Sequence, residues 1–459
     1  MSHFLTQTSK KIGIFGLGRT GIAAYLGLHE IAAQVICYDQ APSAKENFAN
    51  TCGNSSIVDI SNPAWQKLDK ILVSPGVSLS HEIVQMANLY NIEITSDIDL
   101  LYEEVEANYH GDFIGVTGTN GKSTTTALIG HILRSCGLNY QVGGNIGISA
   151  MALPLNADGY VLELSSFQLD LLKRFKAKIA VLLNITKDHL DRHNDMETYI
   201  AAKEKIFERM DQESFTIINV DNEITKAIFL KLQKENKINL VPISTNKILK
   251  NGVSIVNNVI YDNIFEHTEI GFPDTKFLRG AHNKENIVAS YAASRLSGID
   301  PELIISSITS FEGLPHRMQY VGSLGTISFY NDSKATNAEA ASKSISSLDN
   351  IYWLVGGIAK EGGISELQPL FSRINKAYLF GQDKNIFANT LNGQVPYQIC
   401  EDLDEAFNLA FQEAQRDNIA SSNILLAPAC ASYDQFKDFA ERGKKFIELY
   451  NKVKNDQKS

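Results

Sequence analysis

Residues 112 to 137 read DFIGVTGTNGKSTTTALIGHILRSCG, and the order of residue types in this stretch decides the architecture. An apolar run, Phe113 to Val116, leads into a loop carrying Gly118 and Gly121, and then into a segment whose apolar residues recur at helical spacing. Strand, glycine loop and helix in that order begin an alternating α/β unit. The loop suits a phosphate. Its glycines let backbone N–H groups approach the anion, Lys122 neutralises charge, and the Ser123 hydroxyl is a ligand type for Mg²⁺. The strict phosphate-loop pattern carries a further glycine at position 116, where this chain has Val116, so the match is to G-x-x-G-K-S alone and a chance glycine turn is the alternative. The next apolar run, YVLEL, ends in Glu163, where a phosphate-loop protein needs an acid for its metal.

Working towards the N-terminus, KIGIFGLG (11 to 18) is a second strand entering a glycine turn, with Gly16, Gly18 and Gly21 in the full G-x-G-x-x-G spacing and Asp39 at the end of the following strand. That is the fingerprint of a dinucleotide or other pyrophosphate over a helix N-terminus, with a plain tight turn as the alternative. Strands AQVICYD and DKILVSPGV continue the alternation, and the first domain is expected to span residues 1–98. A central domain, 99–313, follows with strands GYVLELS, AKIAVLLNI and SFTIINV and a small antiparallel excursion between Asn246 and Phe277. A third alternating region, 314–459, carries TISFYND, IYWLVGG, KAYLFG and NILLAPAC. The fold class predicted is three-domain α/β: Rossmann-like, then a phosphate-loop ATPase type with a mostly parallel sheet, then Rossmann-like again. A length of 459 residues accommodates about three such domains.

Composition narrows the function. The chain is 44% hydrophobic and 20% charged, with 42 Lys and Arg against 52 Asp and Glu, a net charge of −10. Such a balance excludes a disordered chain and offers no field for nucleic acid or an anionic bilayer. Five scattered cysteines, none in a CxxC pair, suggest neither a disulfide framework nor a zinc knuckle. No secretory leader and no 18-residue apolar run is evident, so a cytoplasmic location without membrane insertion is expected.

Two further segments carry chemistry. NITKDHLDRH, 184 to 193, groups Asp188, His189, Asp191 and His193 behind a strand; these ligand types admit zinc, but a magnesium site using a histidine suits the phosphate loop better, and a polar capping loop is the alternative. In TYIAAKEKIFERM, Lys203 falls on the apolar stripe with Tyr199, Ile206, Phe207 and Met210. Burial there lowers a lysine pKa and leaves an amine able to act as a nucleophile or combine with CO₂, whereas a lysine snorkelling from the stripe edge would stay charged.

Two nucleotide motifs in one chain leave one idle in a dehydrogenase and the other idle in a GTPase-like switch; an ATP-driven reaction on a nucleotide-linked substrate uses both. Together GTNGKSTTT, GGNIG (143 to 147), LELSSFQL (162 to 169), NITKDHLDRH, the Lys203 helix, GAHNKEN (280 to 286), GLPHR (313 to 317), NDSKATN (331 to 337) and APACASYDQFKDF (427 to 439) resemble the Mur ligase family over nearly the whole chain, and within it the D-glutamate-adding branch.

The resemblance implies that a carboxylate of UDP-N-acetylmuramoyl-L-alanine attacks the γ-phosphate of ATP. The acyl phosphate that results is then attacked by the D-glutamate amine, giving an amide, ADP and phosphate in peptidoglycan synthesis. It implies catalysis by Lys122, Glu163, His189 and Lys203, with two Mg²⁺ held by Ser123, Glu163, His189 and a Lys203 carbamate formed from CO₂. It implies ATP contacts at Gly118, Thr119, Asn120, Gly121, Lys122, Ser123, Thr124, Asn283, Asn286, Arg317 and Asp332. Thr336, Lys360, Ser432 and Phe439 would hold D-glutamate, with Lys334 between them, and Asn145 would face substrate and phosphate. For the UDP moiety Gly18, Arg19, Thr20 and Gly76 are the candidates, since Gln40-Ala41-Pro42 after Asp39 lacks the expected hydroxyl and basic side chains. Ala359 departs from the expected residue beside Lys360. The expected partners are these small molecules alone, with the chain a monomer. A nucleotide-dependent oxidoreductase and a non-catalytic ATP sensor are the competing readings.

Overall fold

The computed structural model describes residues 4–457 apart from residues 274, 276, 279 and 361, and the side chains of 190, 191, 281 and 282 are also outside the description. The polypeptide divides into two compact units, residues 1–274 with 281–310, and residues 275–280 with 311–459.

In the first unit, four parallel strands lie in the order Gln34–Tyr38, Lys11–Phe15, Lys70–Val73, Glu93–Thr95. The glycine turn after Lys11–Phe15 leads into the helix Arg19–Leu28 as the fingerprint predicts. A Cβ on Gly21 would lie 2.1 Å from the carbonyl oxygen of Gly16, so helix and strand approach closely only with glycine there. The capped helix Asp97–Asn108, which the acidic run DIDLLYEEVEAN predicts, follows this sheet.

The second sheet of this unit has nine strands. Its order is Thr268–Gly271, Val259–Asn263, Gly252–Val256, Asn239–Ser244, Phe215–Asn219, Ile179–Leu182, Asp112–Thr117, Gly159–Glu163, Tyr140–Gly144. All neighbours are parallel except the two hairpin pairings at the first edge. The antiparallel excursion read from the sequence is therefore an extension of the central sheet: Ile243 pairs with Val253 and carries the hairpin onto the edge. The central strands are buried on both faces, Ile179–Leu182 throughout, as apolar runs in a parallel sheet require.

The second unit holds a six-stranded sheet in the order Gln319–Leu324, Ile327–Asn331, Ser422–Leu426, Ile351–Gly356, Ile374–Phe380, Tyr397–Ile399. It is parallel apart from its first pair. A two-stranded antiparallel ladder, Ile358–Ala359 with Cys430–Ala431, stands beside it. The predicted three-domain α/β class is what is seen, each sheet carrying its own alternating connections.

Candidate active site

The chemistry gathers at the C-terminal ends of the central strands, where open parallel sheets place their ligands. The strand Asp112–Thr117 ends in Gly118 at φ +150°, and the helix Lys122–Ser135 begins from Gly121 at φ +85°. Both are conformations that L-residues with a Cβ avoid. The loop is held from outside. Asn184, at the end of the neighbouring strand, accepts from Thr119 N–H through its carbonyl at 2.7 Å. Its side chain accepts from Asn120 N–H at 2.9 Å and donates to the Asn120 carbonyl at 3.2 Å. The same amide donates to Glu285 at 2.9 Å. Sequence reading missed Asn184 as a loop brace; its place directly after a buried strand and beside the loop strand was the available signal.

Two lysines meet on one carbonyl. Lys122 Nζ donates to Gly118 O at 2.9 Å and Thr119 O at 2.8 Å, while Lys203 Nζ donates to Gly118 O at 2.8 Å. Lys203 is 1% exposed, and its Nζ lies 4.6 Å from the centre of the Tyr199 ring, whose hydroxyl bonds Thr119 Oγ1 at 3.1 Å. Burial, and then the neighbouring charge of Lys122, push the Lys203 amine well below the ordinary lysine range, with Asp188 pulling weakly the other way. The apolar stripe is only partly helical: the helix ends at Glu204, and Ile206 and Phe207 come from the 3-10 turn that follows. Lys203 is buried, not snorkelling.

Glu163 ends the strand beside the loop strand, in register with Val116. It is 2% exposed. One carboxylate oxygen accepts from Asn145 Nδ2 at 2.7 Å, and the other is buried without a hydrogen-bond partner among the described residues. A buried carboxylate oxygen left in that state is costly in the absence of a cation. With the buried Ser123 hydroxyl on the adjoining helix, this oxygen-rich, sulfur-free donor set fits a hard divalent ion such as Mg²⁺.

His189 sits at φ +52°, half exposed at 51%, its ring 5.2 Å from Phe167 and its Nε2 3.5 Å from an Asp188 oxygen. His193 turns away into the interior. Its Nε2 bonds Ser166 Oγ at 2.9 Å, its ring stacks on Phe167, and burial lowers its pKa. The described residues hold no group of three or more His, Cys, Asp or Glu arranged for a metal. The Asp191 side chain lies outside the described residues.

Asn283 and Asn286 lie on the helix Ala281–Leu296. Asn286 donates to Asn283 at 2.9 Å and accepts from Thr125 Oγ1 at 3.2 Å. A Cβ on Gly121 would stand 2.2 Å from Asn286 Oδ1, so this amide crowds the start of the loop helix. Thr124 is half-buried on the first turn of that helix.

Of the candidates for the nucleotide substrate, Gly18 caps its helix, Thr20 is half-buried behind it, and Gly76 is exposed. Arg19 donates to Gly147 O at 2.9 Å and Asn145 O at 3.1 Å, joining the first glycine turn to GGNIG. Arg192 donates to Gly76 O at 3.5 Å and Val77 O at 2.5 Å. Asp39 accepts from Leu17 N–H in the glycine turn at 2.7 Å and from Ala41 N–H at 2.8 Å. Gln40 faces His81 at 2.9 Å.

The second unit carries its own cluster. Asp332 accepts from Met318 N–H at 3.1 Å and from the Ser344 hydroxyl, and burial raises its pKa. Arg317 is exposed. Lys334 Nζ lies 4.0 Å from the centre of the Phe439 ring. Thr336 is half-buried, Ser432 buried and Lys360 exposed. Arg442, which sequence reading missed, is fully buried and donates to Ser333 Oγ, Ser333 O, Cys430 O and Gly356 O at 2.9–3.3 Å. It thereby ties NDSKATN, the Gly356 turn and ACASYDQF together, and burial lowers its pKa to about 10.

Comparison with known proteins gives three family matches: "Mur ligase MurD-like, N-terminal domain" at residues 10–96, "Mur ligase middle domain" at 116–294, and "Mur ligase, glutamate ligase domain" at 316–430. A Rickettsia bellii protein named UDP-N-acetylmuramoylalanine–D-glutamate ligase is 56% identical over 96% of this chain and 97% of its own. A Caulobacter sp. protein of the same name is 41% identical over 96% of each. Among solved structures, UDP-N-acetylmuramate-alanine ligase from Thermotoga maritima superposes with a TM-score of 0.59 at 18% identity, covering 97% of this chain and 100% of that one. At that identity the likeness is one of fold.

Proposed function

The chain belongs to the Mur ligase family, and from that premise we propose that it joins D-glutamate to UDP-N-acetylmuramoyl-L-alanine with cleavage of ATP, in peptidoglycan synthesis. The family uses ATP and Mg²⁺. The observation that carries the reading is the Gly118 node with its two lysines, on the strand paired with the one that ends in the half-satisfied Glu163.

The glycine-loop amides of 118–124 and Lys122 bind the ATP phosphates and spread the charge that develops as the γ-phosphoryl group passes to the substrate carboxylate. Asn283 and Asn286, and from the second unit Arg317 and Asp332, are assigned to ATP as well. Ser123, Glu163 and His189 would hold a metal ion, which when bound would supply charge neutralisation between the two anions. Lys203 completes the set as a carbamate: its neutral amine adds to CO₂, forming the N–C bond and releasing one proton, and the product anion offers oxygen where an ammonium would repel a cation. Two Mg²⁺ are proposed on this donor set. Asn145 orients the substrate carboxylate, and Gly18, Arg19, Thr20 and Gly76 hold the uridine diphosphate. In the second unit Lys360 pairs with a D-glutamate carboxylate, Thr336 and Ser432 donate hydroxyls, and Phe439 with Lys334 walls the site. Lys360 is exposed and so accessible to an anion. The domain limits 1–98, 99–313 and 314–459, a monomeric state and a cytoplasmic location belong to the same proposal; no described helix is long and apolar enough to cross a membrane.

Phosphate release with ATP, Mg²⁺ and UDP-N-acetylmuramoyl-L-alanine, measured against a panel of D- and L-amino acids, tests the proposal. Strong turnover is expected with D-glutamate alone, and comparable rates with L-alanine or a diamino acid would overturn it.

A further inference from the structure

The segment bearing Lys360 is short and exposed, yet its backbone is fixed at two points by one residue. The strand Ile351–Gly356 leaves the sheet, crosses Gly357 and forms the two-residue strand Ile358–Ala359 just before Lys360. From the turn after the neighbouring strand Ile374–Phe380, Asp383 donates its backbone N–H to Gly357 O at 3.1 Å, and its Oδ2 accepts from Ala359 N–H at 2.7 Å. Asp383 thus grips the chain on both sides of Ile358. The opposite edge of that strand is paired with Cys430–Ala431, Ala359 against Cys430, and Ser432 follows immediately. The turn itself is braced from the Ser432 side, where Asp434 Oδ2 accepts from Gln382 N–H at 2.9 Å. Lys360 and Ser432 are therefore carried on the two strands of one small ladder, and the carboxylate at its outer edge is Asp383.

We propose that Asp383 is a positioning residue for amino-acid binding, acting through the Ala359 N–H to aim Lys360 at the carboxylate of the incoming amino acid. A lysine has four rotatable side-chain bonds and loses much of its affinity for an anion if its backbone also wanders, because each added freedom must be lost on binding. A charge-assisted bond to the N–H next to it removes that backbone freedom in advance. The inference rests on the assignment of Lys360 to D-glutamate.

The experiment separates geometry from charge in the full-length chain, with KM measured separately for D-glutamate, ATP and the nucleotide substrate. Asp383→Asn keeps an oxygen at the Ala359 N–H and removes the charge; Asp383→Glu keeps the charge and displaces the oxygen by one methylene. Asp383→Asn is expected to stay within about threefold of the parent. Asp383→Glu is expected to raise KM for D-glutamate roughly tenfold, the scale of one lost hydrogen bond to a charged group, with both other KM values unchanged. Adding Asp383→Glu to Lys360→Ala should then raise KM no further. The proposal is overturned if Asn is the damaging change, if Glu is harmless, or if the two substitutions act independently. Should Lys360→Ala alone leave KM for D-glutamate unaltered, the underlying assignment of Lys360 fails instead.

Discussion

Replacing Lys203 by methionine should stabilise the fold and abolish the activity, an unusual pairing that follows from how the amine is buried. At 1% exposure its Nζ has one hydrogen-bond acceptor, Gly118 O, and the face of Tyr199. Even a neutral amine carries two N–H donors, and a buried donor left short of an acceptor costs about 1–3 kcal/mol. Methionine is of similar length, carries no donor, and keeps the packing against Tyr199. In protein freed of CO₂, Lys203→Met should therefore raise the unfolding free energy by roughly 1–3 kcal/mol near pH 7. The sign with pH is fixed by the same burial. The amine is held below its ordinary range in the folded chain, so between the folded and unfolded pKa values the unfolded chain binds one more proton, and folding stability rises with pH. That rise is about 1.4 kcal/mol per pH unit and ends near the unfolded value of about 10.4. It should be present in the parent and absent from the variant. Urea denaturation from pH 6 to 10 reads the difference, and phosphate release reads the activity, expected to fall by at least about 10²–10³-fold. A variant that is less stable than the parent at pH 7, or that turns over normally, would refute the reasoning.

Lys122→Ala should cost roughly 10²–10³-fold in turnover, the scale for one preorganised charge-stabilising donor, with an unchanged circular dichroism spectrum, since this half-buried side chain donates to carbonyls of its own loop rather than packing in the core. Gly121→Ala places a methyl 2.2 Å from Asn286 Oδ1 at φ +85°. It should lower stability by roughly 1–2 kcal/mol for the left-handed backbone alone and raise the dissociation constant for an ATP analogue in calorimetry. Arg442→Ala leaves up to four carbonyl or hydroxyl oxygens short of a donor, so the second unit should lose roughly 2–4 kcal/mol in denaturant titration; a loss under 1 kcal/mol would remove Arg442 as its tie.

The alternating strands and the two glycine loops were legible because each depends on local pattern: a buried apolar run, glycines at fixed offsets, and a helix period after them. What local pattern does not carry is which partner completes a group. Asn184 reads as an ordinary turn residue until strand order places it beside the Asp112–Thr117 strand, and Arg442 reads as a polar position on the helix Phe439–Asp456 until three distant loops converge on it. The hairpin at 252–263 was recognised as antiparallel, but its attachment to the central sheet depends on the single parallel pairing with Asn239–Ser244, a contact between segments with no shared motif. His193 was grouped with His189 by spacing alone. The αL conformation of His189, visible only in three dimensions, separates them, leaving one ring half exposed and burying the other on Ser166.

Val116, the departure from the strict phosphate-loop pattern, connects loop geometry to the state of Lys203. With Val116 still in the strand and paired to Glu163, the chain does not turn until Gly118, whose carbonyl oxygen accepts from both lysines. Two ammonium groups on one oxygen repel strongly away from water. Lys203 is the more buried of the two, and burial and Lys122 both push its amine well below the ordinary lysine range. Lys122 is half-buried at the loop. The loop that begins without the further glycine thus presents one carbonyl to both Lys122 and Lys203, on the strand paired with the one that ends in Glu163.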